Sequence, residues 1–239
     1  IGIGVIVSAR ADLIATTLRC EYQHNPPAVD TSSPRLSWVL ESTDRDVYQS
    51  AYQILMASSE TLLENNKGDI GDTGKIISED QNQIAYTGRP LAPFERVFWK
   101  VRVWDKNDTA GPWSQSVQWT MGLLESASTA SWITAQEEEK SPDAPPPLPI
   151  FRKEFTLSKP VKQAMLYLCG LGFHEAHING NVVSDTVFAP GWTNYRKTCL
   201  YSSYDVSQWL REGKNAVGVM LGNGMYNVTG GRYVKFTGS

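Results

Sequence analysis

The chain has 239 residues, 41% of them apolar, which is enough to build one or two real cores. Its 22 basic residues nearly balance 25 acidic ones, and the net charge of −3 is spread without blocks, which excludes a nucleic-acid footprint and a polybasic membrane patch. Eight tryptophans and ten tyrosines beside 19 glycines and 13 prolines point to an all-β protein rich in turns.

Residues 1–15 open with IGIGVIVSARA, an apolar run far too short to span a bilayer. They read as a leader or signal remnant, with Ala9-Arg10-Ala11 as a small-residue cleavage site. Residues 16–125 then carry short strands with turn punctuation. Leu36, Trp38 and Leu40 share one face of a strand, and Tyr52 to Ala57 forms another. Val97, Trp99, Val101 and Val103 alternate with Phe98, Lys100, Arg102 and Trp104, which predicts a half-buried strand. Ser58 or Ser59 should cap a helical turn that runs to Leu63. Gly111-Pro112-Trp113-Ser114 turns the chain before Val117 to Thr120. About seven such strands in about a hundred residues fit an immunoglobulin-like sandwich.

Across residues 126–147 the composition changes to a Glu run and then Pro145-Pro146-Pro147, with no apolar periodicity. Such a stretch buries no core and is predicted to be an exposed linker. Trp132-Ile133 within it is expected to dock onto the second domain. From residue 148 to 239 strands resume, at Phe151 to Leu157 and at Gln163 to Cys169. Asn179-Gly180 predicts a tight hairpin turn, because both central residues must take positive φ. Asp205 should cap a one-turn helix through Leu210, and Ala216 to Leu221 should be a buried strand. This grammar resembles a galactose-binding-like jelly roll, of which about ninety residues would be an incomplete copy.

Familiar chemical signatures are mostly missing. Cys20, Cys169 and Cys199 share no CxxC spacing, so zinc and thioredoxin-like chemistry are set aside. A Cys169–Cys199 bridge is geometrically open, and buried free thiols are the preferred reading. His174 and His177 fall on opposite faces of a strand, which argues for surface or edge histidines rather than shared metal ligands. Gly68 to Lys75 has the wrong spacing for a phosphate loop and reads as a surface turn.

One constellation does suggest a ligand. Trp192, Asn194 and Tyr195 lie in a Pro-Gly-Trp-Thr-Asn-Tyr loop, and Asn223, Gly224 and Tyr226 lie in a second loop after an apolar strand. Loops at one end of a sandwich converge, so the six residues could line a shallow cleft. A ring would stack on a sugar face, the asparagines would bond hydroxyls, and Gly224 would admit close backbone approach. Asparagine oxygens, carbonyls and Asp185 could also hold a calcium ion, although no calcium-loop motif is present. The competing reading is that these rings only pack.

The phrases GLGFHEAHINGNVV, FAPGWTNY and LYSSYDVSQWLREGKNAVGVMLGNGMY resemble the N-terminal domain of bacterial α-L-rhamnosidases. LRCEYQHNPPAVDTSSPRLSW and VFWKVRVWDKNDTAGPWS resemble the fibronectin type III-like module that precedes it, with Val97 where that module usually places a corner tyrosine. The resemblance implies a non-catalytic portion of a glycoside hydrolase, since the family's carboxylates belong to a downstream (α/α)6 barrel. It further implies that barrel as a partner, a rhamnose-containing glycan as a ligand, and secretion to the periplasm or cell surface. Two alternatives stay open: a ligand-free spacer or interaction module, and the sugar-binding sandwich of a β-galactosidase-type enzyme.

Overall fold

Alternating apolar runs become strands in both halves of the chain. The computed structural model describes residues 13–124, 130–135 and 148–226, and the chain divides into two compact units, Ile1–Thr129 and Ala130–Ser239. Residues 1–12 of the expected leader and most of the expected linker lie outside the described residues, whereas residues 13–15 belong to the first unit, with Leu13 and Ala15 buried in its core.

The first unit contains β1 (Ile14–Cys20), β2 (Arg35–Glu41), β3 (Ala51–Ala57), helix α1 (Glu60–Glu64), β4 (Gly71–Asp72), β5 (Ile76–Ile77), β6 (Ile84–Ala85), β7 (Arg96–Trp104) and β8 (Val117–Thr120). One sheet has the order β1-β2-β6, and the other β4-β3-β7-β8 with β5 also paired to β3. Their inner faces supply one core, which includes Trp38 and Leu36 from the first sheet and Ile54, Met56, Val97, Trp99 and Val101 from the second. This is the immunoglobulin-like sandwich that the alternation implies. Ser59 caps α1 as expected, accepting from the Leu62 N–H at 3.4 Å.

The outer face of β7 is less exposed than its polar residues suggest. Lys100 is only 7% accessible, because its Nζ donates to the Leu63 carbonyl (2.6 Å) and to Asn66 Oδ1 (2.7 Å) at the end of α1. The Arg102 guanidinium lies between two rings, 4.8 Å from the centre of Trp104 and 4.7 Å from that of Trp113. Lys75 Nζ lies 4.9 Å from the centre of Trp104 and Lys100 Nζ 5.0 Å from that of Trp113, so each ring meets two cations. Val97 is fully buried, as a residue at an inner strand position should be. A loop-closing tyrosine exists elsewhere: Tyr86 Oη donates to the Arg89 carbonyl at 2.5 Å. Gly88 leaves room for that hydroxyl, since a Cβ on it would lie 2.4 Å away.

The second unit contains β9 (Ile150–Leu157), β10 (Met165–Leu168), β11 (His174–Ile178), β12 (Asn181–Val182), β13 (Ser202–Asp205), a single 3-10 turn (Ser207–Trp209) and β14 (Gly213–Leu221). Sheet order is β12-β11-β14-β9 in one layer and β10-β13 in the other. Ala176, Ile178, Val183 and Val206 form a small buried centre, with Leu166, Leu168, Tyr204, Val217 and Val219 packed on it. The Asn179-Gly180 turn forms as expected, with φ of 51° and 86°. Asn179 also fixes the start of β14. It donates to the Trp209 carbonyl and to Asn215 Oδ1, both at 2.8 Å, and accepts from the Ala216 N–H at 2.9 Å.

Four local expectations need correction. Trp132 and Ile133 are 64% and 72% exposed, so among the described residues neither side chain is docked. β14 is half-buried rather than buried, and its partner β9 is largely exposed, so burial on one sheet face is all that this strand receives. Asp205 stays in β13 and bonds the Ser207 N–H (3.0 Å) without being the cap, which is Val206. His174 is buried rather than at the surface, with its ring against Tyr204.

Candidate functional site

Two pairs of closely spaced glycines build one end of the second unit. Gly170 and Gly172 precede β11, and Gly222 and Gly224 follow β14, its partner in the sheet. A Cβ on Gly172 would lie 2.0 Å from the Gly222 carbonyl oxygen. Gly224, at φ 50°, would place a Cβ 2.9 Å from the Phe173 nitrogen. Only glycine permits these backbones to touch. Gly224 therefore serves loop-to-loop packing, which is a different use from the close ligand approach expected of it.

The second candidate loop also lies beside the first. Tyr226 meets Tyr195 edge to face, with ring centroids 5.4 Å apart at 84°. The two loops thus converge, as loop placement in a sandwich suggests. Tyr195 is half-buried, and burial, followed by the nearby Cys199 and Cys169 thiols, pushes its hydroxyl pKa up. Its ring is committed to the Tyr226 contact and is not a free stacking platform.

Residues 190–200 are held by their own backbone. The Asn194 carbonyl accepts from the Lys197 N–H (2.8 Å) and the Thr198 N–H (3.0 Å), and Thr193 Oγ1 donates to the Thr198 carbonyl at 2.5 Å. Asn194 is exposed, but its Oδ1 already accepts from the Arg196 N–H at 3.2 Å. Its amide nitrogen is the part left to meet a hydroxyl. Trp192 is 55% exposed and Asn223 is exposed, so both present surface at this end. Asp185 is also exposed, and no group of three His, Cys, Asp or Glu side chains suited to a metal ion occurs among the described residues.

Several neighbours escaped sequence reasoning. Val187 and Phe188 are 74% and 71% exposed, and Leu200 approaches Gly191, so the loop carries an apolar surface beyond Trp192. Phe188 meets Phe173 edge to face at 5.2 Å. The run Val187-Phe188-Ala189-Pro190, apolar but without alternation, was the available signal. Behind the loop, the His174 N–H donates to the Ala189 carbonyl at 2.8 Å, and His174 Nε2 lies 3.1 Å from Tyr204 Oη. Burial pushes the His174 pKa down, and its Nδ1 has no partner among the described groups.

Three carboxylates of the first unit are paired with cations. Arg35, Lys106 and Arg89 donate to Glu21, Asp46 and Glu95 respectively, and hold each of these pKa values down. A general acid for glycoside cleavage needs the opposite shift.

Comparison with known proteins agrees with this architecture. Residues 15–125 match the Rha78A-like, N-terminal immunoglobulin domain, and residues 159–238 match the α-L-rhamnosidase N-terminal domain. An α-L-rhamnosidase of Formosa agariphila is 34% identical over an alignment of 221 positions, which covers 84% of this chain and 23% of that protein. The solved structure of an α-L-rhamnosidase from Dictyoglumus thermophilum superposes with a TM-score of 0.83 at 42% identity, over 92% of this chain and 26% of the other. An Aspergillus terreus α-L-rhamnosidase structure gives 0.75 at 30% identity, over 90% and 24%. The chain spans about a quarter of the length of these relatives. In sequence and in fold, this chain is the paired N-terminal domains of the α-L-rhamnosidase family.

Proposed function

We propose that the chain is a non-catalytic portion of an α-L-rhamnosidase-like glycoside hydrolase, which braces the catalytic region and presents a glycan-binding face. The observation that carries the non-catalytic reading is coverage. Both of its domain matches are N-terminal ones, and about three quarters of each relative lies outside the matched stretch. Assaying the chain against an aryl α-L-rhamnoside tests this, with no turnover expected. Turnover that scales with chain concentration through successive purification steps would overturn it.

The bracing role draws on the apolar surface at Val187, Phe188 and Leu200, which suits a protein partner better than a sugar. The glycan role draws on the convergence of the Trp192 and Tyr226 loops. In this reading Trp192 stacks on a rhamnose face, the Asn194 amide and Asn223 bond hydroxyls, and a calcium ion joins through oxygen ligands such as Asp185. The Tyr195–Tyr226 pair positions the two loops. Secretion belongs to the same reading, since polymeric glycans are met outside the cell. Calorimetry with L-rhamnose tests the site.

A further inference from the structure

Cys169 and Cys199 lie thirty residues apart in sequence, just beyond the facing ends of β10 and β13. β10 and β13 are antiparallel, with Leu168 opposite Ser202. Carrying that register one step further puts Cys169 opposite Tyr201, two residues from Cys199. Side chains alternate along a strand, so Tyr167 and Cys169 share one face of β10, and the Cys199 thiol lies close enough to Cys169 to act on it electrostatically. The Tyr167–Tyr201 ring contact, 5.7 Å between centroids, shows that this face is shared. Leu166, Leu168 and Tyr204 point the other way, into the core. Both cysteines are half-buried and carry free thiols.

We propose that Cys169 and Cys199 are a disulfide-forming pair that closes when the chain meets an oxidising environment, locking the Trp192–Tyr195 loop to the end of β10. Diagonal neighbours across two strands sit about 7–8 Å apart at Cα, whereas a disulfide takes about 4.4–6.8 Å. Closure therefore needs a modest inward shift. Residue 199 lies outside β13 and can supply it. What holds Cys199 in the reduced state is a weak bond from its Sγ to the Tyr195 carbonyl, 3.7 Å long. The new bond replaces that one.

The oxidant is a small-molecule disulfide such as oxidised glutathione. One protein thiolate attacks it, forms a mixed disulfide and releases one glutathione thiolate. The second cysteine then attacks the protein sulfur of that mixed disulfide and releases the second glutathione. In total, two protein thiols lose two protons and two electrons, and one disulfide is reduced to two thiols. Burial, with the Cys199 thiol adding to it, pushes the Cys169 pKa up, which suits Cys169 to the second, intramolecular step. Cys20 does not compete. It is 1% exposed in the other unit, and burial pushes its thiol up to about 12.

The test is equilibration of the chain in glutathione buffers of graded ratio, followed by alkylation and peptide mapping. A Cys169–Cys199 link in the monomer is expected, together with a rise in the unfolding midpoint of the second unit. In Cys169→Ser, Cys199 should instead retain glutathione, and only at a ratio roughly tenfold more oxidising than closes the wild-type pair. Wild-type chain that carries glutathione on both cysteines, links only between molecules, or stays fully alkylatable in the most oxidising buffer would overturn the proposal. Those outcomes are read on the wild type, so they stand even if the variant fails to fold.

Discussion

Replacing Gly172 with alanine should destabilise the second unit much more than the same change at Gly180. Gly180 has φ 86° and nothing within 4 Å of a new Cβ, so only the left-handed conformation is penalised. That penalty is about 1–2 kcal/mol, partly offset by a gain of about 0.4–1 kcal/mol from a stiffer unfolded chain. At Gly172 the new Cβ would sit 2.0 Å from the Gly222 oxygen and 3.3 Å from the Asn223 oxygen. An ordinary C···O contact is about 3.3–3.6 Å, so two backbones must separate by more than an ångström. Overpacking of this kind costs about 1–3 kcal/mol, and the Gly222 N–H to Phe173 carbonyl bond is strained as well. Together these give about 2–4 kcal/mol for Gly172→Ala against about 1 kcal/mol or less for Gly180→Ala. Urea unfolding, with hydrogen exchange of the Val217 and Val219 amides in β14 as the local readout, measures both. Equal destabilisation by the two variants would show that the loops at residues 172 and 222 do not touch.

Three further outcomes are expected from buried or paired charges. His174 has a pKa below its free value of 6.5, so the unfolded chain binds the proton first, and the second unit should lose stability as pH falls from 6.5 toward the lowered value. His174→Phe should flatten that slope in thermal melts taken across the window. Glu95 is lowered from 4.5, so its contribution is present above 4.5 and is lost as pH falls through the lowered value. Glu95→Gln should remove that acid-dependent part of the first unit's stability, measured by the same melts. Lys100→Met leaves the Leu63 carbonyl without its donor and should cost about 1–3 kcal/mol, with faster exchange of the α1 amides.

Local chemistry was legible in the sequence, and non-local chemistry was not. The alternation of Val97 to Val103 announced an inner strand face, and Asn179-Gly180 announced its own turn, because in each case the signal lies within a few residues. The outer face of β7 misled, since Lys100, Arg102 and Trp104 read as solvent-facing until Trp113 and the end of α1 fold over them. Ala216 to Leu221 looked buried on composition alone, but its accessibility is set by the thin, exposed β9 beside it. At the candidate site, the two loops could be named from their rings and amides. What joins them, Tyr195 against Tyr226, is a contact between residues thirty-one apart, and the Gly172–Gly222 approach that seats the second loop depends on sheet pairing between β11 and β14. The GLG and GNG runs were the visible half of that contact. The commitment of Asn194 Oδ1 to the Arg196 N–H was likewise hidden, because it depends on the loop's own fold.

The glycan-binding face is tested most directly by titration calorimetry with L-rhamnose, on the wild-type chain and on a Trp192→Ala, Asn194→Ala double variant, with and without calcium. Both residues are exposed and lie outside the two cores, so the double variant should keep its fold. A single stacked sugar with few hydrogen bonds predicts weak binding to the wild type, of about millimolar affinity. The double variant should give no sugar-dependent heat, and calcium should strengthen the wild-type signal alone. Equal heats from both proteins, or none from either under any condition, would contradict the site.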